Sequence, residues 1–292
     1  MILVVGATGQ LGFEICRRLR QAGSPVAGLV RSGSPRLVDL KGLGVELRVG
    51  DLKDSGSLVN ACAGVEVVVS TVTATTSRRR GDSLETVDRD GQLSLVAAAR
   101  AAGVRRFVYV SLSPHMRPTY FVSIKRQVEA AVRLSGMEWV ILQPSAFMEV
   151  WLSARLGWDF PGGRVRILGK GNQKVSVISM DDVAAFAILA VLDSSTTNRN
   201  LVLGGPDALS PLETVELFHR ITGRTLRVRH FPLGMLRAMA RLLRPIFSVQ
   251  TELMQLGVVA AEDGDAVDMA AILREFPMQM TSIRDYLTRA SQ

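Results

Sequence analysis

Three glycines, Gly6, Gly9 and Gly12, follow the apolar run Ile2–Val5 at a GxxGxxG spacing and precede a segment with Leu11, Ile15 and Leu19 on one face. A strand passing through a tight turn into a helix fits that pattern. Side chains in such a turn would hold the backbone away from a ligand's phosphates, which is why glycine suits it. The helix expected from Gln10 aims its unpaired N–H groups and the positive end of its dipole at the gap. Gly6, Thr8, Gly9, Gln10, Leu11 and Gly12 therefore read as a cradle for a pyrophosphate. Their place at the head of a βα series points to a dinucleotide.

Residues further along carry the complementary chemistry. A second apolar run, 25–30, ends in Arg31, about twenty positions past the glycines. An acidic residue there would accept from the ribose hydroxyls of NAD, whereas the Arg31 guanidinium favours the extra phosphate of NADP through a charge-assisted contact. A solvated arginine at a strand end is the plain alternative. Asp51, followed by Leu52 after a third run (45–49), is placed either to accept from an adenine amino group or to cap the next turn. Thr71 and Val72 open a Thr-rich loop beyond a fourth run, 65–70. Such a loop lies along the cofactor, because ligands bind past the carboxyl ends of parallel strands. Arg78, Arg79 and Arg80 after it read as a solvated run.

To position these residues the chain must alternate strand and helix. Helices are expected over 55–63, over 84–102 with Gly103 as C-cap, and after Tyr120, with strands over 106–110 and 138–142. This alternation predicts an α/β fold, a doubly wound parallel sheet with helices on both faces, in a domain covering 1–150. Beyond Met148 the rhythm breaks, and Gly162, Gly163, Gly169 and Gly171 bracket short strands in a loop-rich insertion expected to roof the cofactor. A smaller C-terminal α+β lobe, 151–292, is expected to follow, with 174–204 returning to the first domain. Within that stretch 174–178 and 200–203 read as strands, and Ser179 to Asp182 reads as a capping box with Asp182 capping an apolar helix over 183–192. Ser210-Pro211-Leu212-Glu213 is a second capping box. The tail from Phe231 reads as mostly helical, with Arg237, Arg241 and Arg244 along one face of a Leu/Met-rich segment. That face packs on the lobe or, alternatively, meets a protein partner or a membrane surface peripherally.

The 292 residues suffice for one large or two modest domains, and 47% hydrophobic against 21% charged residues excludes a disordered chain. A formal net charge of +8 raises the question of a nucleic-acid or anionic membrane partner. No nucleic-acid motif is present, and 5% aromatic residues provide no aromatic-interleaved basic patch, so nucleic acid is set aside. No basic stretch precedes Ile2, and Asp181 and Asp182 interrupt the longest apolar stretch, so neither a signal peptide nor a transmembrane segment is expected. Cys16 and Cys62 lack metal-ligand spacing, so no metal is expected, and reduced, packed thiols fit a cytoplasmic protein.

The chain resembles the NmrA-like group of atypical short-chain dehydrogenase/reductases, which includes isoflavone-reductase-like enzymes. The resemblance rests on residues 6–12 (GATGQLG), Val30-Arg31, Gly44-Val45-Glu46 with Gly50-Asp51-Leu52, residues 107–111 (FVYVS), Lys125 with Glu129, residues 142–149 (LQPSAFME) and residues 178–184 (ISMDDVA). It covers roughly the first two thirds of the chain. The stretch 276–287 is loosely similar to the tail of relatives allied to respiratory-complex and photosystem accessory subunits. The resemblance implies a Rossmann domain binding NADP(H), with a small C-terminal lobe shaping the substrate pocket.

Enzymes of the wider superfamily use Ser, Tyr and Lys, with Tyr four residues before Lys so that both project from one helix face. The lysine lowers the phenol's pKa, and the tyrosine passes a proton to the carbonyl that accepts hydride. Four residues before Lys125 stands Phe121, which carries no proton. Tyr120 is turned away from that face unless the helix begins after it. Ser111 holds the family's serine position, and His115 lies in the neighbouring loop. Lys125 also contacts the nicotinamide ribose in such sites. One reading is therefore an NADPH-dependent reductase in which Lys125 acts electrostatically or as acid, as the resemblance implies, with His115 or Tyr120 as relay. A quinone, enone or imine substrate suits it, since such acceptors need less proton donation than a ketone. The other reading is a non-catalytic NADP(H)-binding redox sensor or assembly scaffold, with Lys125 and Glu129 a structural i to i+4 pair. A sugar-nucleotide epimerase is disfavoured, because it needs the missing tyrosine.

Overall fold

The computed structural model describes residues 1–34, 36–77, 79–243 and 248–291, so Arg78 and Arg244 lie outside the described residues. In chain order the first elements are β1 (Ile2–Val5), α1 (Gln10–Gln21), β2 (Val26–Val30), α2 (Leu37–Gly42), β3 (Glu46–Val49), α3 (Ser55–Cys62), β4 (Val67–Ser70), a π-helical segment (Leu84–Gly91), α4 (Gln92–Ala101), β5 (Arg106–Val110), α5 (Tyr120–Arg133) and β6 (Glu138–Pro144). They are followed by α6 (Met148–Trp151), β7 (Trp158–Asp159), β8 (Arg164–Leu168), α7 (Met180–Leu192), β9 (Arg199–Leu203), α8 (Pro211–Thr222), β10 (Arg227–Phe231), α9 (Leu233–Leu243), α10 (Ser248–Asp263), α11 (Ala270–Glu275) and α12 (Ile283–Ala290). The chain divides into two compact units, one of residues 1–111, 120–143 and 183–201, the other of 112–119, 144–182 and 202–292.

The first unit carries a seven-stranded sheet in the order β3-β2-β1-β4-β5-β6-β9, and every pair from β3 to β6 is parallel. This is the doubly wound α/β architecture expected from the alternation. Every residue of β1, β2, β4 and β5 is buried, as a sheet covered on both faces requires, whereas β3 at the edge carries Glu46 and Arg48 and is half open. Helix α1 turns Leu11, Ile15, Cys16 and Leu19 inward. Each large apolar side chain buried this way stabilises the unit by about 1.5–3 kcal/mol. Arg106, at the start of β5, is itself buried and donates to the Ala190 and Asp193 carbonyls at the end of α7, to Glu138 and to Thr197. Helix-end carbonyls without intrahelical partners are thereby satisfied.

The second unit holds a three-stranded mixed sheet, β10-β8-β7, with β8 and β10 parallel and β7 antiparallel to β8. Its core gathers Trp158, Phe160, Ile167, Phe218, Ile283 and Leu287, and Phe160 stacks on Phe218 at 5.1 Å. This is the expected α+β lobe, with one strand, β10, in the stretch just ahead of the tail to which the sequence reading assigned no element.

Three local expectations are corrected. Residues 174–178 form no strand. Val175 and Ile178 make isolated bridges to Leu209, Asp265 and Phe147, so the segment pairs with a different neighbour at nearly every step and no ladder propagates. The helix over 84–102 is divided, a π-helical stretch giving way to α-helix at Gln92, which turns both Asp88 and Gln92 into the interior. Helix α7 starts at Met180, whose N–H is received by the Glu149 carboxylate; the Asp182 carboxylate instead accepts the Thr281 N–H and hydroxyl. Cys16 and Cys62 are free and buried, and burial pushes their thiols up to about 12 and about 11. No helix among the described residues is long and apolar enough to cross a membrane.

Candidate functional site

The turn between β1 and α1 carries glycine at the positions where a side chain would not fit. Gly6 has φ +95°, and a Cβ there would meet the Thr71 hydroxyl at 2.6 Å; a Cβ on Gly12 would run into the Gly6 carbonyl. Gly9 donates to the Gly6 carbonyl and caps α1 with no side-chain acceptor, and no carboxylate stands in the helix's first turn. Gly9 and Gln10 are exposed, Thr8 is half-buried, and Leu11 and Gly12 are buried. The start of α1 at Gly9 and Gln10 is therefore open, with a favourable dipole, an arrangement that accepts an anion.

The loop after β4 closes one side of this turn. Thr71 donates from both its N–H and its hydroxyl to the Val5 carbonyl. Gln92, fully buried, accepts from Ser70 and donates to the Val72 carbonyl, so it fixes the loop's backbone from beneath. Asp51 turns the chain locally by accepting the Lys53 N–H, and Leu52 is buried beside it. Capping of α3 falls to Asp54, which accepts from Gly56 and Ser57.

Arg31 is held at the end of β2 by a carboxylate that the sequence reading did not single out. Its guanidinium lies 2.6 Å from Asp82 and 3.9 Å from Asp51, while Lys53 reaches the other Asp82 oxygen at 2.6 Å. Burial raises the Asp82 carboxyl, but hydrogen bonds from Arg31, Lys53 and Ser77 more than offset it and leave the group at about 2. Two cations thus share one buried anion, and both keep roughly a third of their side chains open to solvent.

Lys125 occupies a different kind of place. Its ammonium is 3.2 Å from Asp88, and their side chains are 4% and 0% exposed. The rings of Tyr109 from β5 and Phe121 from α5 each lie with their centroids 5.3 Å from the nitrogen. Burial alone would pull the lysine down, but the Tyr109 phenol and the Asp88 carboxylate reverse that and hold it above its ordinary value. Burial pushes the Tyr109 phenol up to about 12.

Glu129 is not the partner of Lys125. It accepts from Ser111 at 2.5 Å and from Gln143 at 3.0 Å, and it pairs with Arg126 and Arg133. Burial raises its carboxyl, yet those donors and charges bring it below the usual range. The i to i+4 spacing with Lys125 is real, but Asp88 reaches the lysine first. Tyr120 is the first residue of α5, so the helix does not begin after it, and its hydroxyl is engaged with Glu85. His115 lies in the second unit, where its Nδ1 is 3.3 Å from Asp265 and Ser113 donates to the same carboxylate at 2.6 Å. Both Ser113 and His115 thus converge on one acid.

The sequence reading missed Asp88, Tyr109 and Asp82. A tyrosine inside the otherwise apolar strand 107–110 was a usable signal, because a buried phenol needs a polar neighbour. Asp88 gave none: on a regular helix through 84–102 it looks like one more surface acid.

Comparison with known proteins bears on this geometry. The model of the NmrA-like family matches residues 1–287. The chain belongs to the NmrA-like family. This NmrA-like chain is 35% identical over 234 residues to the (4-alkanoyl-5-oxo-2,5-dihydrofuran-3-yl)methyl phosphate reductase of Streptomyces griseus, covering 78% of the chain and 76% of that protein. It is 28% identical to the photosystem II assembly factor Ycf39 of Guillardia theta, over 98% of the chain and 92% of that protein. Among solved structures it superposes on the NADPH-dependent quinone oxidoreductase QOR2 of Escherichia coli with a TM-score of 0.81 at 20% identity, each chain covered in full. That likeness shows the fold.

Proposed function

We propose that the chain is a cytoplasmic NADP(H)-dependent reductase of a small conjugated acceptor of quinone, enone or imine type. The observation that carries the reading is the turn at Gly6 and Gly12, where a Cβ at either position has no room beside the open start of α1 at Gly9 and Gln10. That turn suits a diphosphate, and the family's reductases support the chemistry. When bound, NADP(H) supplies a hydride. Gly6 to Gly12 hold the diphosphate, Thr71 and Val72 flank the nucleotide, and Arg31 with Lys53 meets the extra phosphate in competition with Asp82. Lys125 contributes a fixed positive charge near the nicotinamide ribose. Its raised pKa makes it a reluctant proton donor, so it favours acceptors whose conjugation spreads the developing negative charge. Ser111 supports the end of β5 through Glu129.

A second reading, a non-catalytic NADP(H)-binding sensor or assembly subunit, is favoured by Phe121 in the place of a proton-donating tyrosine and by the near full-length likeness to an assembly factor. Oxidation of NADPH by the purified protein, followed against quinones, enones and imines, separates the two. Turnover in the wild type that falls about a hundredfold or more in Lys125→Ala, with nucleotide affinity within about threefold, supports the reductase. Nucleotide binding without oxidation across the panel overturns it in favour of the sensor.

A further inference from the structure

Lys125 takes its counter-charge from another element, not from its own helix. Asp88 projects from the π-helical segment and is fully buried, with one oxygen accepting the Ala74 N–H at 2.8 Å and the other 3.2 Å from the Lys125 nitrogen. The Ala74 end of that contact belongs to the loop opened by Thr71 and Val72. One carboxylate therefore ties the loop expected along the cofactor to the lysine expected at the reacting end. Gln92, one turn further, pins the same loop at Val72. Both side chains are buried along the π turn and its junction with α4, and such turns recur at functional sites.

The fit around the ammonium is incomplete. Among the described residues, the Tyr109 hydroxyl and the Asp88 oxygen nearest Lys125 are buried without a well-formed hydrogen bond, although both lie against the same nitrogen. A buried oxygen left in that condition has a cost, and it is repaid where a cation must be aimed elsewhere. The groups facing Lys125 are Asp88 from the π-helical segment, Tyr109 from β5 and Phe121 from α5, while Glu129 is committed to Ser111, Gln143, Arg126 and Arg133.

We propose that Asp88 is the positioning residue of the site: it keeps Lys125 charged and fixes it to the Thr71–Ala74 loop, so that seating the nucleotide along the loop and placing the cation are one event. The inference rests on Lys125 being the cation of a nicotinamide-dependent reductase. Asp88→Asn preserves shape and an acceptor for Ala74 while removing the charge. The lysine nitrogen, followed by NMR in the nucleotide-free protein, titrates at lower pH in Asp88→Asn than in the wild type. With NADPH and an acceptor, the variant loses about tenfold or more in kcat, and its alkaline limb moves to lower pH, while nucleotide affinity stays within about threefold.

Tyr109→Phe deletes one buried hydroxyl beside the lysine and shifts the lysine in the same direction; it serves if Asp88→Asn does not fold. A lysine titration unchanged in the folded variant overturns the proposal, and so does a kcat and pH profile unchanged alongside an inactive Lys125→Ala. Should the wild type oxidise no NADPH, the reductase reading fails, while the nucleotide-free titration still decides whether Asp88 sets the charge on Lys125.

Discussion

At Gly6 and Gly12 there is no room for a Cβ and the main chain is what a ligand meets, whereas beside Lys125 the polar groups are the buried side chains of Asp88 and Tyr109. The first region is made by seven consecutive residues. The second is assembled from Asp88, Tyr109, Phe121 and Lys125, contributed by a π turn, a strand and a helix. An anion site of backbone N–H groups tolerates no added atom but needs no particular side chain. A buried cation needs particular partners and tolerates their loss only by changing its charge.

The sharpest way to break that contrast is to add one carbon to the turn. Gly12→Ala places a Cβ against the Gly6 carbonyl, so α1 must move away from β1 and the N–H groups lose their aim. NADPH affinity measured by calorimetry should fall about a hundredfold, or about 2.7 kcal/mol, with a lower melting temperature from the strained packing. A variant that binds as tightly as the wild type would mean that the diphosphate sits elsewhere.

Arg31 is the intermediate case, a side chain at the rim of the backbone site, and its effect should be smaller. Arg31→Gln should weaken NADPH about tenfold and leave NADH within about twofold, since a charge-assisted phosphate contact is what is lost. Asp82→Asn should act in the opposite direction, tightening NADPH about threefold, because the carboxylate that now occupies Arg31 and Lys53 competes with a phosphate for them. Equal loss of both nucleotides in Arg31→Gln would reduce Arg31 to a structural partner of Asp82.

The same contrast explains what could be read from sequence. The parallel sheet was legible because its strands are short apolar runs at regular spacing, and the glycine turn because its logic is local. The division of the 84–102 helix was not legible: one extra residue in a turn leaves no compositional trace, yet it decides which way Asp88 points. The pairing of Lys125 with Glu129 followed correct helical spacing and lost to a carboxylate 37 positions away in the chain, which no periodicity within α5 can announce. Residues 174–178 had the composition of a strand but no single neighbour to pair with.

The smallest expected effect separates the two regions by pH. Asp82 sits at about 2 in the folded protein because Arg31, Lys53 and Ser77 outweigh its burial, against about 3.9 in an unfolded chain. A carboxyl lowered on folding stabilises the native state fully above the unfolded value and loses that contribution as pH falls through the folded one. The gap in unfolding free energy between wild type and Asp82→Asn should therefore be flat from neutral pH to about 5 and close between about 4 and 2. Its size should be about 1 kcal/mol, since Arg31 and Lys53 are partly screened by solvent. Lys125 is raised on folding, so its contribution has the opposite sense: present below the unfolded lysine value of about 10.4 and lost as pH climbs through the folded one. Denaturant melts of Asp82→Asn and Asp88→Asn should thus depart from the wild-type pH profile at opposite ends of the scale. An alkaline departure in Asp82→Asn would show that the rim and the buried lysine titrate as a single network.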